Sequence, residues 1–278
     1  MSSEPICESN LSHAWGRAFL ALMKARNGKL TEPLLVSIDI PPGQEPIEDS
    51  FIRQAHQDSL VRNAKFDIDV TAEMIFPSKM YRRACKWQGK TLTCTELRDQ
   101  YINHTLPRLM ARDKQHNRGG TYFARMINYP ANIGSSNGSN INQLAQIVEY
   151  WHRDQSHTHK KRTRRSALQV ACYNPGEDLT GQARQGFPCL QQLSFSYEDE
   201  SGHLILNAYY PAEYIFDRAY GNYLGLCRLG MYMAQEMKLN FSRLNCFIGY
   251  PQLGGPNKSD LAELAKLVEY RLLVNDTL

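Results

Sequence analysis

The segment FPCLQQLSFSYEDESGHLILNAYY, residues 187–210, is the part of the sequence that decides the fold. Its two runs of alternating apolar residues, 190–197 and 204–210, flank a polar turn that ends in Gly202, a pattern that predicts an antiparallel hairpin. Cys189 precedes the first strand directly, where rigid structure can hold a thiol at the mouth of a pocket. The alternative is a buried structural cysteine, since reactivity requires nearby positive charge that sequence spacing alone cannot place.

Helices and strands are predicted on both sides of this hairpin from apolar periodicity and from end signals. Because they are interspersed without strict alternation, we predict one α+β domain over residues 1–278, with a mixed β-sheet packed with helices. A flexible loop is expected at 134–140. Helices are predicted over 11–26, from a cap at Asp69 or Thr71 to residue 76, over 95–112, 141–151 and 260–273, and from Tyr220 onward; strands are predicted over 34–40, 166–173 and 247–250.

Cysteine usage and hydropathy indicate a cytoplasmic protein. The seven cysteines are odd in number and form no CxxC pair, which is typical of free thiols in a reducing compartment. No apolar run approaches the roughly 20 residues that cross a membrane, and residues 1–10 lack the features of a signal peptide. His157 and His159 have no further ligand at metal-binding spacing, so we expect no metal site.

The positive charge of the chain is concentrated in one run, HRDQSHTHKKRTRR, residues 152–165. The net charge of this run is +5 and that of the whole chain is +4, so the remainder of the chain carries −1 and is close to neutral. One interpretation is a solvated helix end and loop. A second is phosphate binding, because Arg164 and Arg165 present forked donors that match phosphate oxygens. Nucleic-acid binding is the third and least favoured, since it requires a broader basic surface.

Several short motifs resemble those of the thymidylate synthase family. Residues 187–189 resemble its nucleophile segment Pro-Cys-His, and Gly221-Asn222 resembles the Phe-Asn that begins its central helix. The spacing from Asn222 to Ala234 also matches the family. Further similarity lies in residues 120–125, 141–144, 163–165 and 173–175, and weaker similarity in the first helix and in 72–75, so that the resemblance covers about residues 11–253.

The resemblance implies a thymidylate-synthase-like fold, a homodimer and a defined chemistry. The Cys189 thiolate would add to C6 of a pyrimidine nucleotide or nucleoside, and C5 would then accept a one-carbon unit from methylenetetrahydrofolate. Glu73 would move protons, and Asn222 would hydrogen-bond the pyrimidine edge. Arg164 and Arg165 would reach the phosphate bound in the partner subunit. We therefore expect a C5 methyltransferase or hydroxymethyltransferase of nucleotide biosynthesis.

The sequence also departs from the family at ligand-binding positions. The family's Arg-Ser-x-Asp stretch reads Pro-Ala-Glu-Tyr at residues 211–214, so both its phosphate arginine and its folate-binding aspartate are missing. Arg218 is the candidate replacement for that arginine. Leu190 and Phe123 replace a family histidine and tyrosine, and residues 249–253 replace its sugar-binding segment. These losses suggest the alternative of a catalytically reduced homologue that binds nucleotides or serves in assembly.

Overall fold

The predicted hairpin forms the centre of a six-stranded mixed sheet in the computed structural model. The structure describes residues 4–112, 120–130, 140–156, 163–179, 188–198 and 200–276. Two short strands form a second, small sheet. The strands are β1 (Ile6–Glu8), β2 (Leu34–Asp39), β3 (Gln169–Ala171), β4 (Gln192–Glu198), β5 (His203–Tyr210), β6 (Glu213–Tyr214), β7 (Asn240–Ile248) and β8 (Pro251–Gln252).

The strand order of the large sheet is β1-β2-β7-β5-β4-β3, and β6 pairs with β8 in the small sheet. Strands β4 and β5 pair in antiparallel fashion, with Gln192 opposite Tyr209, which confirms the hairpin. Strands β5 and β7 are parallel neighbours, with Tyr210 opposite Ile248. A parallel pair requires a crossover connection, which a long helix provides here. The start of β4 and the ends of β5 and β7 therefore lie at the same edge of the sheet.

Helices surround the sheet and supply most of the remaining core. They are α1 (Leu11–Lys24), α2 (Ser50–Arg62), α3 (Ile68–Glu73), α4 (Ser78–Gln88), α5 (Cys94–Gln100), α6 (Leu106–Arg112), α7 (Tyr122–Ile127), α8 (Gln143–Ser156), α9 (Pro175–Asp178), α10 (Tyr220–Met237) and α11 (Ala262–Asp276). Turns of π-helix lie at Tyr101–Thr105 and Ile215–Ala219. None of the helices in these described ranges is both long and apolar enough to span a membrane.

Helix α10 is the central helix, and it packs closely against α3. A Cβ atom built on Gly221 would lie 2.5 Å from Thr71 Cβ and 2.7 Å from the Ile68 carbonyl oxygen. One turn later, a Cβ on Gly225 would lie 2.7 Å from the Ala72 carbonyl oxygen. Only glycine permits such an approach of two backbones. The two glycines thus bring α3 to the first turn of α10.

Several predicted boundaries were wrong for local reasons. Helix α3 is capped by Asp67, whose carboxylate accepts from the backbone N–H of Asp69 at 2.7 Å, rather than by Asp69 or Thr71. The strand predicted over 166–173 is limited to β3, because Arg165–Ala167 forms a turn of 3₁₀ helix. The strand predicted over 247–250 is the end of β7, which begins at Asn240 and ends at Ile248.

Other predicted elements were found, and some elements were missed. The predicted helix over 95–112 is present as α5 and α6 joined by a turn of π-helix, and α1, α8, α10 and α11 match predicted helices. Helices α2, α4 and α7 were not predicted. The loop predicted at 134–140 lies outside the described residues except for its last position, as does the middle of the basic run, residues 157–162.

Candidate catalytic and ligand-binding site

The candidate site lies at the sheet edge where β4 begins and β5 ends. Cys189 precedes β4 by three residues, and Glu213 follows β5 by three. The antiparallel register sets Gln192 opposite Tyr209, so these two short extensions leave the sheet side by side. Backbone hydrogen bonds then tie the segment after β5 to the end of β7, since Gly249 N donates to Tyr210 O and Glu213 N donates to Tyr250 O.

Cys189 is exposed, and its backbone is held by a tyrosine. Its N–H donates to the hydroxyl oxygen of Tyr122 at 3.2 Å. Tyr122 is positioned by Thr121, which caps α7, and by Phe123, whose N–H donates to the carbonyl oxygen of Met74. Neighbouring atoms exclude water from the inner side of the thiol and raise the pKa of Cys189. The Glu213 carboxylate raises that pKa further, whereas Arg218 and Tyr122 lower it.

Arg218 is the one predicted arginine that the structure brings to this cysteine. It lies on the π-helical turn Ile215–Ala219 between β6 and α10, and its guanidinium stacks over the ring of Phe66 at 4.5 Å. Among the described residues it forms no ion pair. Its positive charge favours the Cys189 thiolate and remains available to an anionic ligand.

A buried pair formed by Glu213 and Asn222 lies behind the cysteine. Glu213 is 2 % exposed, and its Oε1 accepts from Asn222 Nδ2 at 2.8 Å. Its other oxygen, Oε2, is buried without a hydrogen-bond partner among the described residues, and the same holds for the hydroxyls of Tyr210 and Tyr223. Burial raises the pKa of Glu213 to about 8, and the Asn222 bond offsets part of this rise. Glu213 is therefore mostly protonated at neutral pH.

Glu73 lies at the end of α3 and is bound to the next helix. Its Oε1 accepts from Ser78 Oγ at 2.6 Å and from the Lys79 N–H at 3.1 Å, so it caps the start of α4. It also lies 4.0 Å from Arg228 on α10. Arg228 is six residues beyond Asn222, about 9 Å along the helix axis. The structure shows no contact between Glu73 and either Cys189 or Asn222.

Arg164 and Arg165 lie at the opposite end of β4 from Cys189. Arg164 is exposed, and Arg165 donates to the carbonyl oxygen of Tyr197 at 2.7 Å and stacks on its ring. Eight residues of extended chain separate Tyr197 from Cys189, a span of roughly 26 Å. These arginines and Cys189 therefore do not share a site within one chain.

Two residues of the candidate site were missed from the sequence. In the sequence, Glu213 belongs to a stretch that lacks the family's charged groups, and in residues 120–125 it is Phe123, not Tyr122, that marks a departure from the family. A signal for Glu213 was available, because an acid between Ala212 and Tyr214 follows a buried strand and precedes an apolar helix. A carboxyl group between two buried elements is itself expected to be buried, and it is then either ionised without water or protonated. Both states are uncommon for a glutamate.

The residues present do not fit the folate that the resemblance implies. Tyr214 occupies the position of the family's folate-binding aspartate, and it is 46 % exposed with no carboxylate to offer. The adjacent acid, Glu213, is turned inward to Asn222. This region therefore offers no carboxylate to hold a folate. Within the described ranges, no group of three or more His, Cys, Asp or Glu residues is arranged to hold a metal ion.

Compared with models of known protein families and with curated proteins, the sequence matches none. The arrangement of Cys189, Arg218, Glu213 and Asn222 is accordingly the basis for a functional proposal. It joins a thiol, a cation, a buried acid and an amide from three successive parts of the chain. These are the groups that covalent chemistry on a polar, electron-poor ring requires.

Proposed function

We propose that the protein is a thymidylate-synthase-like enzyme that transfers a methyl or hydroxymethyl unit to C5 of a pyrimidine nucleotide or nucleoside. The observation that carries the proposal is the gathering of Cys189, Arg218 and Asn222 at one sheet edge. The thiol is the nucleophile, the amide binds the pyrimidine edge, and the guanidinium attracts the anionic ligand and favours the thiolate. The sequence resemblance around Cys189 and Asn222 supports the same assignment.

The proposed reaction proceeds through a covalent adduct. The Cys189 thiolate bonds to C6, and the electron pair of the C5–C6 double bond makes C5 a nucleophile. C5 then bonds to a one-carbon electrophile, and the bond between that carbon and its carrier breaks with the electron pair leaving on the carrier. The C5 proton passes to a base, and the C5–C6 double bond re-forms as the thiolate leaves C6. The donor supplies this carbon as an electrophile, and the lack of a carboxylate at Tyr214 argues against the folate that the resemblance implies.

Release of tritium from C5 tests this proposal. The protein is incubated with [5-³H]-labelled uracil and cytosine nucleotides and nucleosides, each with and without methylenetetrahydrofolate. We expect release from at least one of them, and its loss in Cys189→Ala. Cys7→Ala serves as the matched control, because this exposed cysteine lies on the edge strand β1, which three strands separate from β4. Absence of release from every compound refutes the proposal.

We also propose that the protein acts as a homodimer through the exposed face of the large sheet. Leu35, Phe247 and Tyr209 form an apolar row across β2, β7 and β5, and they are 39 to 44 % exposed. The neighbouring row is polar, and Asn245 there donates to Asn207 at 2.8 Å. A second copy on this face accounts for the arginines at the far end of β4, which lie too far from their own Cys189 to share its ligand.

Subunit mixing tests the dimer. Cys189→Ala and the double variant Arg164→Ala/Arg165→Ala are each expected to be inactive. If the arginines serve the partner, mixed dimers contain one intact site, and the mixture recovers about a quarter of wild-type activity. Phe247→Asp is expected to yield a monomer in sedimentation velocity. A wild-type monomer at all concentrations refutes the dimer.

A nucleotide-binding protein without catalysis is the second candidate. The raised pKa of the Cys189 thiol favours this second function, because an activated cysteine nucleophile usually has a lowered pKa. Thermal shift with unlabelled nucleotides separates the two functions. In a binding protein, Cys189→Ser keeps the stabilisation by ligand while no tritium release is seen in any variant. In the enzyme, the same substitution abolishes release.

A further inference from the structure

Glu213 combines features that a purely structural residue would not be expected to have. It is nearly inaccessible to solvent, one carboxylate oxygen is bound to Asn222, and the other has no described hydrogen-bond partner. No cation among the described residues pairs with it. An unsatisfied buried oxygen lowers the stability of the folded protein, so this arrangement is expected to have a compensating role.

The groups around Glu213 come from every element packed against it. A negative charge on Glu213 raises the pKa of Tyr210, at the end of β5, and that of Tyr223, on α10. It also raises the pKa of Cys246 on β7 and of Cys189 before β4. Arg218 and Tyr122 lower the pKa of Cys189, in opposition to Glu213. The acid thus acts on the thiol and is hydrogen-bonded to the amide expected to hold the ligand.

We propose that Glu213, rather than Glu73, is the acid–base residue of this site. The inference rests on the proposed function for the identity of the ligand. When Sγ of Cys189 bonds to C6, the C5–C6 electron pair moves toward the C4 substituent, and the proton on Glu213 passes to that heteroatom. The resulting carboxylate takes the proton back when C5 attacks the one-carbon electrophile.

The alternative acid, Glu73, is less suited to this role because its hydrogen bonds are already made. Both of its oxygens accept from the Lys79 N–H, and Oε1 accepts from Ser78 as well. A carboxylate that caps a helix in this way has its acceptor sites occupied by protein donors. Glu213 instead has a free oxygen in a buried place, where it carries a proton near neutral pH.

Alkylation of Cys189 measures the link between the two groups without any substrate. Iodoacetamide is applied from pH 6 to 10, and modification of Cys189 is followed by peptide mass spectrometry. In the wild type, the logarithm of the rate is expected to rise with pH and to flatten near pH 8, where Glu213 gains its charge and raises the pKa of the thiol. In Glu213→Gln the flattening is expected to disappear, with rates above pH 8.5 roughly threefold higher than wild type.

Matched variants make this measurement specific. Glu73→Gln and Glu236→Gln are expected to keep the break near pH 8. Glu236 is a half-buried acid at the far end of α10, about 21 Å along the helix axis from Asn222. Coincident profiles for wild type and Glu213→Gln would overturn the inference. Circular dichroism at pH 6 verifies that each variant is folded.

Tritium release supplies the second readout. Glu213→Gln is expected to lower kcat by roughly 100-fold or more, with a smaller effect on KM, because general acid–base catalysis contributes about that much. A profile in which Glu73→Gln loses activity while Glu213→Gln retains it would refute the inference. If the wild type releases no tritium, the proposed function fails, and the alkylation profiles alone then decide whether Glu213 controls Cys189.

Discussion

Replacing Glu213 by glutamine is expected to change how the stability of the protein depends on pH. The ordinary pKa of a glutamate here is 4.5, and burial raises that of Glu213 to about 8. Between these values the folded protein keeps the proton while the unfolded chain releases it. The free energy of unfolding therefore falls as pH rises from 4.5 to 8, and it is constant with respect to this group above pH 8.

The magnitude follows from the size of the shift. A difference of about 3.5 pH units at 1.36 kcal/mol per unit corresponds to a loss of about 5 kcal/mol. Glutamine does not titrate, and its Oε1 still accepts from Asn222. Relative to wild type, Glu213→Gln should be close to neutral at pH 5 and stabilising by up to about 5 kcal/mol at pH 8.

Urea unfolding at pH 5, 6, 7, 8 and 9, followed by circular dichroism, measures this difference directly. Glu263→Gln on α11 is the control, because its exposed side chain should leave the pH profile unchanged. A change of less than about 1 kcal/mol between pH 5 and pH 8 in the free energy of unfolding of Glu213→Gln relative to wild type would refute the reasoning. That result would mean that water reaches the Glu213 carboxylate in the folded protein.

Three further substitutions test other parts of the fold. His56 is buried, and its pKa is lowered to about 3, so the free energy of unfolding should fall by about 5 kcal/mol as pH drops from 6.5 to 3. In urea unfolding, His56→Gln should remove most of this fall. Gly221→Ala places a Cβ 2.5 Å from Thr71 Cβ and should cost roughly 1–3 kcal/mol, seen as a lower Tm, although alanine favours helix. Asp178→Asn breaks a two-bond ion pair with Arg125, at 2.7 and 2.8 Å, and should cost roughly 3–5 kcal/mol in urea unfolding. Equal stability of any of these variants and the wild type would contradict the packing or pairing described.

Local sequence signals were sufficient for the elements that depend on local interactions. The hairpin of β4 and β5 has alternating apolar residues and a glycine turn, and α10 has a long apolar repeat. The helix of α5 and α6 begins with a capping box between Thr93 and Glu96. Helix α4 escaped prediction because its exposed surface carries charged residues and because Pro77 precedes it.

The candidate site was predicted in part. The sequence places Cys189 at the mouth of the hairpin and offers Arg218 as the replacement for a phosphate-binding arginine; in the structure the charge of Arg218 acts on Cys189. The sequence marks Glu213 only as an acid between a buried strand and an apolar helix, and its raised pKa depends on burial among neighbours on α10, β5 and β7. Glu73 and the two arginines of the basic run were named from a resemblance, and within one chain they lie away from the cysteine.

Alternation, caps and turn residues determine the α+β class, the hairpin and the place of Cys189 just before its first strand, because each arises from contacts between residues close in the chain. The tertiary structure decides the chemical character of the site. The parallel pairing of β5 with β7, made possible by the crossover through α10, buries Glu213 against Asn222 beside the thiol. An acid acquires its raised pKa from loss of water on all sides, and that loss requires segments distant in the sequence to meet.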